Sequence, residues 1–560
     1  MQAACTSPGS RSTPLLLALV RDRRLRCYSH IDERCAGFFA VGHAKATGRP
    51  VAITCTSGTA AAELTPAVVE AWEARVPIIV LTADRPPELR EVGAGQSIDQ
   101  LKLYGSAVKW FFEMGEHTAN ADRLRWVRSL ACRAYWTALD GRPGPVHLNW
   151  GLREPLVPDR PLPPDSGGRP YGAPWLQRPT APAGADPSVL EELALDVRRH
   201  PHGIVVAGRH ERDTATATAA RELAQRAGYP LLADPLSGAR GGCAAIAHYD
   251  ALLRGERFAA DHVPQLVLRV GDLPTSKALR QWLASLGGAH HVAIDAEGSW
   301  HDPSGMLVTV VPAEPARTLA GITERLPTAV DNDWLAGWRE ADERARGAIA
   351  ATIDGSLSEP GVARLLGRRL PTQATLFVAS SMPVRDVETF WEVREDPPRV
   401  LSNRGANGID GTVSAAFGAA ADSTGPVVLL IGDVALAHDL GGLLAARRLG
   451  LSLTIVLTNN GGGAIFDFLT VASQADAYEE HVATPPGLDF GKAAALFGLD
   501  HVVAADLQAL EGALEVALQA PGAHLLEVRT DRAANVAVHR RAWAAVAEAV
   551  AHRARTGRGA

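Results

Sequence analysis

The sequence contains few cysteines and no long apolar run. Six cysteines are spread over 560 residues, and none of them forms a C-x-x-C pair or has the spacing of a zinc site, which favours reduced, packed thiols. The longest strongly apolar runs, residues 14–20 and 427–431, are far shorter than the roughly 18–20 residues that span a bilayer. Arginines follow the first run where a signal peptide would have its cleavage site. We therefore expect a cytoplasmic protein without a membrane span.

An excess of positive charge is also absent. Lys and Arg number 56 against 62 Asp and Glu, which gives a formal net charge of −6 at pH 7. Without a global positive field we expect no nucleic acid partner. Hydrophobic residues make up 46% of the chain and charged residues 21%, as in globular rather than disordered proteins. At roughly 150 residues per domain, the length suggests three or four domains and favours a large enzyme over a binding module.

Short apolar runs alternate with alanine-rich helical stretches, which indicates α/β layers with parallel sheets. We predict three doubly wound parallel-sheet domains at residues 1–153, 190–325 and 356–560, joined by a proline-rich linker at 154–189 and by a linker with a charged helix at 326–355. In such sheets ligands bind outside the carboxyl ends of the strands. The predicted strands cover residues 51–56, 78–82, 146–149, 203–207, 266–270, 291–294, 375–378, 427–431, 453–457 and 524–528, with a helix at 60–74.

Oxygen-bearing groups follow two predicted strands of the third domain. Asp433 comes after the strand at 427–431, and Asn460 and Gly462 come after the strand at 453–457. A carboxylate, an amide oxygen and a main-chain carbonyl at one sheet edge are ligands that Mg²⁺ prefers, with phosphate oxygens and water completing the shell. The glycines also let the backbone approach a diphosphate closely. Each half alone is common turn chemistry, so the predicted metal site depends on their combination.

This combination resembles the metal and diphosphate signature of thiamine diphosphate enzymes, with Gly432-Asp433-Val434 in place of the usual G-D-G. In the first domain Glu33 opens an amphipathic helix and the segment 54–63 (TCTSGTAAAE) follows it, as in that family. The resemblance implies thiamine diphosphate and Mg²⁺ (or Mn²⁺) as cofactors, and Glu33 as the catalytic residue that hydrogen-bonds the aminopyrimidine ring. It implies cofactor contacts from Glu33, Thr56, Ile409, Gly432, Asp433, Val434, Asn460, Gly462, Gly463, Ala464 and Ile465.

Four further segments narrow the resemblance. They are similar to the 2-succinyl-5-enolpyruvyl-6-hydroxy-3-cyclohexene-1-carboxylate synthase family, at residues 7–14 (SPGSRSTP), 82–89 (TADRPPEL), 93–97 (GAGQS) and 402–411 (SNRGANGIDG). This implies a transferase of menaquinone biosynthesis that decarboxylates 2-oxoglutarate and adds the succinyl semialdehyde unit to isochorismate in a 1,4 sense. It also implies a homodimer or homotetramer, because in this family the pyrimidine and diphosphate domains meet across a subunit interface.

Arginines near predicted strand ends indicate a substrate with several carboxylates. Arg11, Arg85, Arg385 and Arg404 each lie in a Ser-, Pro- or Gly-rich turn, where a guanidinium can pair with a carboxylate through two hydrogen bonds. The two implied substrates carry two carboxylates apiece. The family's usual asparagine is replaced by Gly95. The resemblance adds substrate contacts at Ser10, Gln96, Lys277, Ser381, Ile465 and Phe466.

Two alternatives remain open at this point. One is another thiamine diphosphate enzyme, such as an acetohydroxyacid synthase or a 2-oxoacid decarboxylase, for which monoacid substrates would not require so many arginines. The other is a non-catalytic homologue that serves as a scaffold or ligand sensor, against which the joint presence of Glu33, Asp433 and Asn460 speaks. The middle domain has no G-x-G-x-x-G motif, so we expect no nucleotide there.

Overall fold

The computed structural model describes residues 1–157, 168–179, 183–210, 214–327 and 332–551. Its strands form three separate sheets in which every pair of neighbouring strands is parallel. Helices cover the faces of these sheets, as parallel sheets require. The predicted α/β fold with three doubly wound domains is therefore confirmed. None of the described helices is both long and apolar enough to cross a membrane.

Domain 1 contains a six-stranded sheet with the order β2-β1-β3-β4-β6-β5. Its strands are β1 (Ala3–Thr6), β2 (Arg26–Ser29), β3 (Val51–Cys55), β4 (Ile78–Asp84), β5 (Trp110–Glu113) and β6 (Val146–Gly151). Its helices are α1 (Thr13–Arg21), α2 (Glu33–Thr47), α3 (Thr59–Glu63), α4 (Thr65–Glu73) and α5 (Ala121–Leu139).

Domain 2, the middle domain, contains a five-stranded sheet with the order β11-β10-β9-β7-β8. Its strands are β7 (Gly203–Ala207), β8 (Leu231–Ala233), β9 (Leu266–Val270), β10 (His290–Ile294) and β11 (Thr309–Val311). Its helices are α6 (Pro187–Arg199), α7 (Thr214–Ala227), α8 (Tyr249–Leu253), α9 (Glu256–Asp261), α10 (Lys277–Ser285) and α11 (Pro315–Glu324), and the long helix α12 (Asp333–Ile353) follows.

Domain 3 contains a six-stranded sheet with the order β13-β12-β14-β15-β17-β16. Its strands are β12 (Thr375–Val378), β13 (Arg399–Leu401), β14 (Val427–Gly432), β15 (Leu453–Asn459), β16 (Asp500–Ala504) and β17 (Ala523–Arg529). Its helices are α13 (Glu359–Arg369), α14 (Met382–Phe390), α15 (Thr412–Ala420), α16 (Asp433–His438), α17 (Leu444–Leu449), α18 (Phe490–Phe497), α19 (Leu507–Gln519) and α20 (Arg532–Ala551).

Every predicted strand matches a strand of the three sheets. Six of the seven strands that escaped prediction lie at sheet edges, and the seventh, the short buried β1, lies inside the domain 1 sheet. Strand β13, for example, has only three residues. The helix predicted at 60–74 is two helices that meet at Leu64, because Pro66 cannot donate a backbone hydrogen bond and begins a new helix instead. The predicted domain boundaries stay a prediction. Helix α6 begins inside the linker predicted at 154–189, and part of that linker, residues 158–167 and 180–182, lies outside the described residues.

Domains 1 and 3 share one hydrophobic core, built around the contact of α2 with α15. Glycines make this contact close. A Cβ on Gly42 of α2 would lie 1.9 Å from the Ala415 carbonyl oxygen, and a Cβ on Gly418 of α15 would lie 2.0 Å from the Phe39 carbonyl oxygen. Neither position therefore has room for a side chain, and the two helix backbones pack directly against each other.

Helix α20 of domain 3 packs against α12 and the middle domain. Its residues Val538, Ala542 and Val546 pack in one core with Trp338 of α12 and with apolar residues of the middle domain. The predicted helix of the 326–355 segment is thus part of a packed layer, and the middle domain is held at the side of domain 3 by buried apolar area, the main driving force for such contacts.

Replacing Gly42 by alanine is expected to destabilise the protein, because the added methyl group would overlap the Ala415 carbonyl. Overpacking of this kind should lower the free energy of unfolding by about 2 kcal/mol, measured by urea denaturation at fixed protein concentration. Gly347→Ala in α12 is the matched control, since a Cβ there meets nothing within 4 Å and alanine should stabilise an exposed helix position by roughly 0.5–1 kcal/mol. Equal effects of the two substitutions would contradict this account of the α2–α15 contact.

Candidate active site

Asp433 and the loop after β15 meet at the carboxyl edge of the domain 3 sheet. Strand β14 ends at Gly432, and the Asp433 carboxylate accepts hydrogen bonds from the backbone N–H groups of Val434 and Gly462, both at 2.8 Å. Burial raises the pKa of Asp433 above its ordinary value. Gly462 has φ +146°, and a Cβ there would lie 2.9 Å from the Ala483 carbonyl oxygen, so this tight loop requires glycine.

Asn460 presents a free acceptor beside Asp433. Its side-chain N–H group donates to the Glu359 carboxylate at 2.7 Å, which fixes the orientation of the amide. Its Oδ1 atom is buried and has no hydrogen-bond partner among the described residues. A buried, unpartnered amide oxygen next to a carboxylate is the arrangement that a hard cation would satisfy. The residues therefore fit the divalent cation predicted from the sequence.

A cavity of about 400 Å³, called here the main cavity, opens beside Asp433. It brings together most of the residues that the sequence predicts in domain 3. The cofactor residues that line it are Ile409, 432–434, Asn460 and 462–465, and the substrate residues are Ser381, Arg385, Arg404, Ile465 and Phe466.

Two of the predicted arginines crowd together in the main cavity. Arg404 donates to the Ser380 hydroxyl at 3.3 Å, and Arg385 donates to the Ser381 carbonyl at 2.5 Å. Burial and the nearby charge of Arg385 lower the pKa of Arg404 to about 10, and burial also lowers the pKa of Arg385. Both groups stay protonated at neutral pH, so the cavity carries positive charge that attracts anions.

A buried ion pair of domain 1 fixes the loop that carries Arg404. Lys45 of α2 and Glu70 of α4 pair at 3.1 Å with almost no exposed side-chain area. The Glu70 carboxylate also accepts hydrogen bonds from the backbone N–H groups of Gly405 at 3.0 Å and Ala406 at 2.8 Å. Lys45 in turn donates to the carbonyl group of residue 402 in the same loop. Domain 1 thus positions an arginine of domain 3.

Glu33 lies in the first turn of α2, behind the N-cap residue Asp32. It is half-buried, and burial raises the pKa of its carboxyl group above the ordinary value. Thr56 is buried at the end of β3, where a Cβ on Gly9 would overlap it. Both predicted pyrimidine-side residues therefore lie in domain 1, one at a helix start and one at a strand end.

The other predicted residues of domain 1 form a second arginine cluster. Arg85 donates to the Ser57 hydroxyl at 2.9 Å and to the Gly95 carbonyl at 2.7 Å. Gln96, with φ +59°, donates to the Ser57 carbonyl at 3.1 Å. Arg11 lies near enough to lower the pKa of Arg85, in addition to burial, and it follows the exposed Ser10.

These two groups do not meet within one chain. Among the described residues that line the main cavity, none belongs to domain 1. The first turn of α2 instead contacts domain 3 at Asp439, whose carboxylate lies 3.9 Å from the Cys35 thiol. Asp439 follows the last residue of α16, and Asp433 is its first residue, so about 9 Å of helix separates them. Within one chain the predicted residues of domain 1 and those of the main cavity therefore lie apart.

Lys277, predicted from the resemblance, is exposed at the start of α10 and is not among the residues that line the main cavity. Arg280, three residues later, does line it, together with Glu359. Neither Arg280 nor Glu359 is predicted from the sequence. The sequence offers a weak indication for Arg280, because this residue shares a helix with the predicted Lys277. It offers none for Glu359, which is about a hundred residues from Asn460 in the chain.

Three family models match the chain. They describe the N-terminal thiamine pyrophosphate-binding domain at residues 1–103, the middle domain of thiamine pyrophosphate enzymes at 172–378, and the C-terminal thiamine pyrophosphate-binding domain at 382–528. The fold is similar to that of a solved chain from Mycobacterium smegmatis, described as a candidate thiamin diphosphate-dependent enzyme, with a TM-score of 0.70, 22% identity and coverage of 95% of this chain and 96% of that chain.

Two similar proteins indicate which family of thiamine diphosphate enzymes the chain resembles most specifically. The 2-succinyl-5-enolpyruvyl-6-hydroxy-3-cyclohexene-1-carboxylate synthase of Chloroflexus aurantiacus is 43% identical over 97% of this chain and 93% of that protein. The enzyme of the same name from Geobacillus kaustophilus is 44% identical over 98% of this chain and 95% of that protein. The predicted resemblance and thiamine diphosphate as the cofactor are thereby confirmed. The chain belongs to the 2-succinyl-5-enolpyruvyl-6-hydroxy-3-cyclohexene-1-carboxylate synthase family of thiamine diphosphate enzymes.

Proposed function

We propose that this protein decarboxylates 2-oxoglutarate and adds the succinyl semialdehyde unit to isochorismate in a 1,4 sense, forming the compound for which its relatives are named, in menaquinone biosynthesis. The observation that carries the proposal is the main cavity, where arginines adjoin the Asp433 and Asn460 edge. Both substrates have two carboxylates, and guanidinium groups are their natural partners. A carboligase for monoacid substrates would not need this charge.

The cofactor would bind along the carboxyl edge of the domain 3 sheet. Asp433, Asn460 and the Gly462 carbonyl would hold Mg²⁺ (or Mn²⁺), while the backbone of residues 463–465 would face the diphosphate. Thiamine diphosphate, when bound, supplies the carbon that attacks the keto group and takes up the electron pair left by CO₂. Ile409 lines the same cavity and would support the cofactor from its apolar side.

The chain's own residues would supply binding and proton control. Glu33 would hydrogen-bond the pyrimidine ring and exchange a proton with its nitrogen, a role that the raised pKa of this half-buried carboxyl group supports. Arg385 and Arg404 would pair with substrate carboxylates, and their fixed positions reduce the ordering cost of binding. Arg11 and Arg85 would add further contacts from the domain 1 side.

The proposed active unit is at least a homodimer, with a homotetramer as the larger possibility. The separation of Glu33 from the main cavity within one chain supports this, since a second copy could bring its domain 1 edge to the Asp433 side. A dimer with twofold symmetry would build two such sites from the same pair of surfaces.

The reaction itself can be tested with purified protein, thiamine diphosphate and Mg²⁺. We expect CO₂ release from 2-oxoglutarate and, when isochorismate is added, the 1,4-addition product by mass spectrometry. Pyruvate should yield no acetolactate, because a monoacid leaves the arginines of the main cavity unpaired. Acetolactate formation would favour an acetohydroxyacid synthase, and cofactor binding without any CO₂ release would favour a non-catalytic sensor.

Replacing Asn460 by alanine is expected to weaken Mg²⁺-dependent binding of thiamine diphosphate. The substitution removes the unpartnered amide oxygen beside Asp433, and loss of even an outer-shell partner typically costs about 10–100-fold in metal affinity. Calorimetric titration of apoprotein with the cofactor at several Mg²⁺ concentrations measures the effect. Gln508→Ala, an exposed amide on α19, is the control and should bind as wild type. Unaltered Mg²⁺ dependence in Asn460→Ala would rule out the assigned ligand.

A further inference from the structure

Arg280 of the middle domain faces the same space as the arginines of domain 3. It lies in the second turn of α10 and lines the main cavity with Arg385 and Arg404. It also lines a second cavity of about 200 Å³, together with Arg404 and Asn407. The two cavities therefore adjoin, and Arg280 lies where they meet.

The charge of Arg280 is not neutralised within the described part of the chain. Neighbouring arginines of the middle domain have carboxylate partners: Arg209 pairs with Asp272, and Arg254 pairs with Asp250 at 2.9 Å. Among the described residues no salt bridge or side-chain hydrogen bond involves the guanidinium of Arg280. Its positive charge is one of the causes, after burial, that lower the pKa of Arg385, which places the two guanidinium groups close to each other.

The arrangement around Arg280 suits the second substrate better than the first. The substrate that loses CO₂ must lie against the cofactor edge, near Asp433. The acceptor adds to it afterwards and must occupy cavity space beyond that edge, and Arg280 is an exposed residue that lines both the main cavity and the second cavity. After CO₂ has left, the first reactant of the proposed function carries one carboxylate and the acceptor carries two. Arg385 and Arg404 can pair with two of these three carboxylates, so the third needs another cation of the main cavity.

We infer that Arg280 binds a carboxylate of the acceptor, the cyclic dicarboxylate isochorismate, and so determines specificity for it from the middle domain. The inference depends on the proposed function for the identity of the acceptor. It gives the middle domain, in which the sequence motifs indicate no chemistry beyond Lys277, a direct part in substrate binding.

Kinetics of Arg280→Ala test this inference. Loss of a charged hydrogen-bonding partner should raise the KM for isochorismate roughly 10–100-fold. The KM for 2-oxoglutarate in acceptor-independent CO₂ release, and the affinity for thiamine diphosphate, should stay within about twofold of wild type, because the inference assigns Arg280 to the acceptor alone. Arg280→Lys, which retains the charge but not the planar fork, should recover part of the loss.

Arg257→Ala is the matched control, since Arg257 is an exposed arginine in α9 that pairs with Asp261 at the surface, and it should show wild-type kinetics. Wild-type KM for isochorismate in Arg280→Ala would overturn the inference and leave the proposed function intact. An effect confined to 2-oxoglutarate would also overturn it. If wild-type protein consumed no isochorismate, the proposed function would fail and the inference with it.

Discussion

The direct backbone contact between α2 and α15 is the constraint on which the rest of the structure depends. At Gly42 and Gly418 the two helix backbones lie too close for any side chain, and apolar residues of domains 1 and 3 continue from this contact into a single core. Interiors packed in this way resist small displacements. The two domains of one chain are therefore fixed with respect to each other, and so are the functional groups at their sheet edges.

This fixed arrangement explains why residues of domain 1 contact the Arg404 loop, and why Glu33 lies apart from the main cavity. It brings Lys45 and Glu70 to the loop that carries Arg404, so domain 1 determines where a guanidinium of domain 3 lies. It also places the first turn of α2 against domain 3 at Asp439, through Cys35, and Glu33 of that turn is not among the described residues that line the main cavity. A buried ion pair adds little net stability on its own. The Lys45–Glu70 pair instead positions the Arg404 loop, because both of its members also form hydrogen bonds to the backbone of that loop.

The sequence was sufficient to predict most of the central strands and the Asp433 and Asn460 pair, because buried parallel strands are continuous apolar runs and their polar ends share one sheet edge. It could not predict the three-residue strand β13 or the break of the first long helix at Leu64. Local sequence patterns also do not predict contacts between segments that are distant in the chain. Nothing near Asn460 in the chain indicates that Glu359 orients its amide. The formal net charge of −6 also gives no indication of the arginine cluster, because acidic residues elsewhere in the chain offset its positive charge.

In the proposed homodimer, Glu33 of one copy serves Asp433 of the other copy. Mixing Glu33→Gln protein with Asp433→Asn protein, each inactive alone, tests it most directly after dissociation and reassembly. Random pairing makes half of the dimers mixed, and each mixed dimer contains one intact site, so about a quarter of wild-type activity should return. Absence of any recovered activity, although native mass spectrometry finds mixed dimers, would contradict the account.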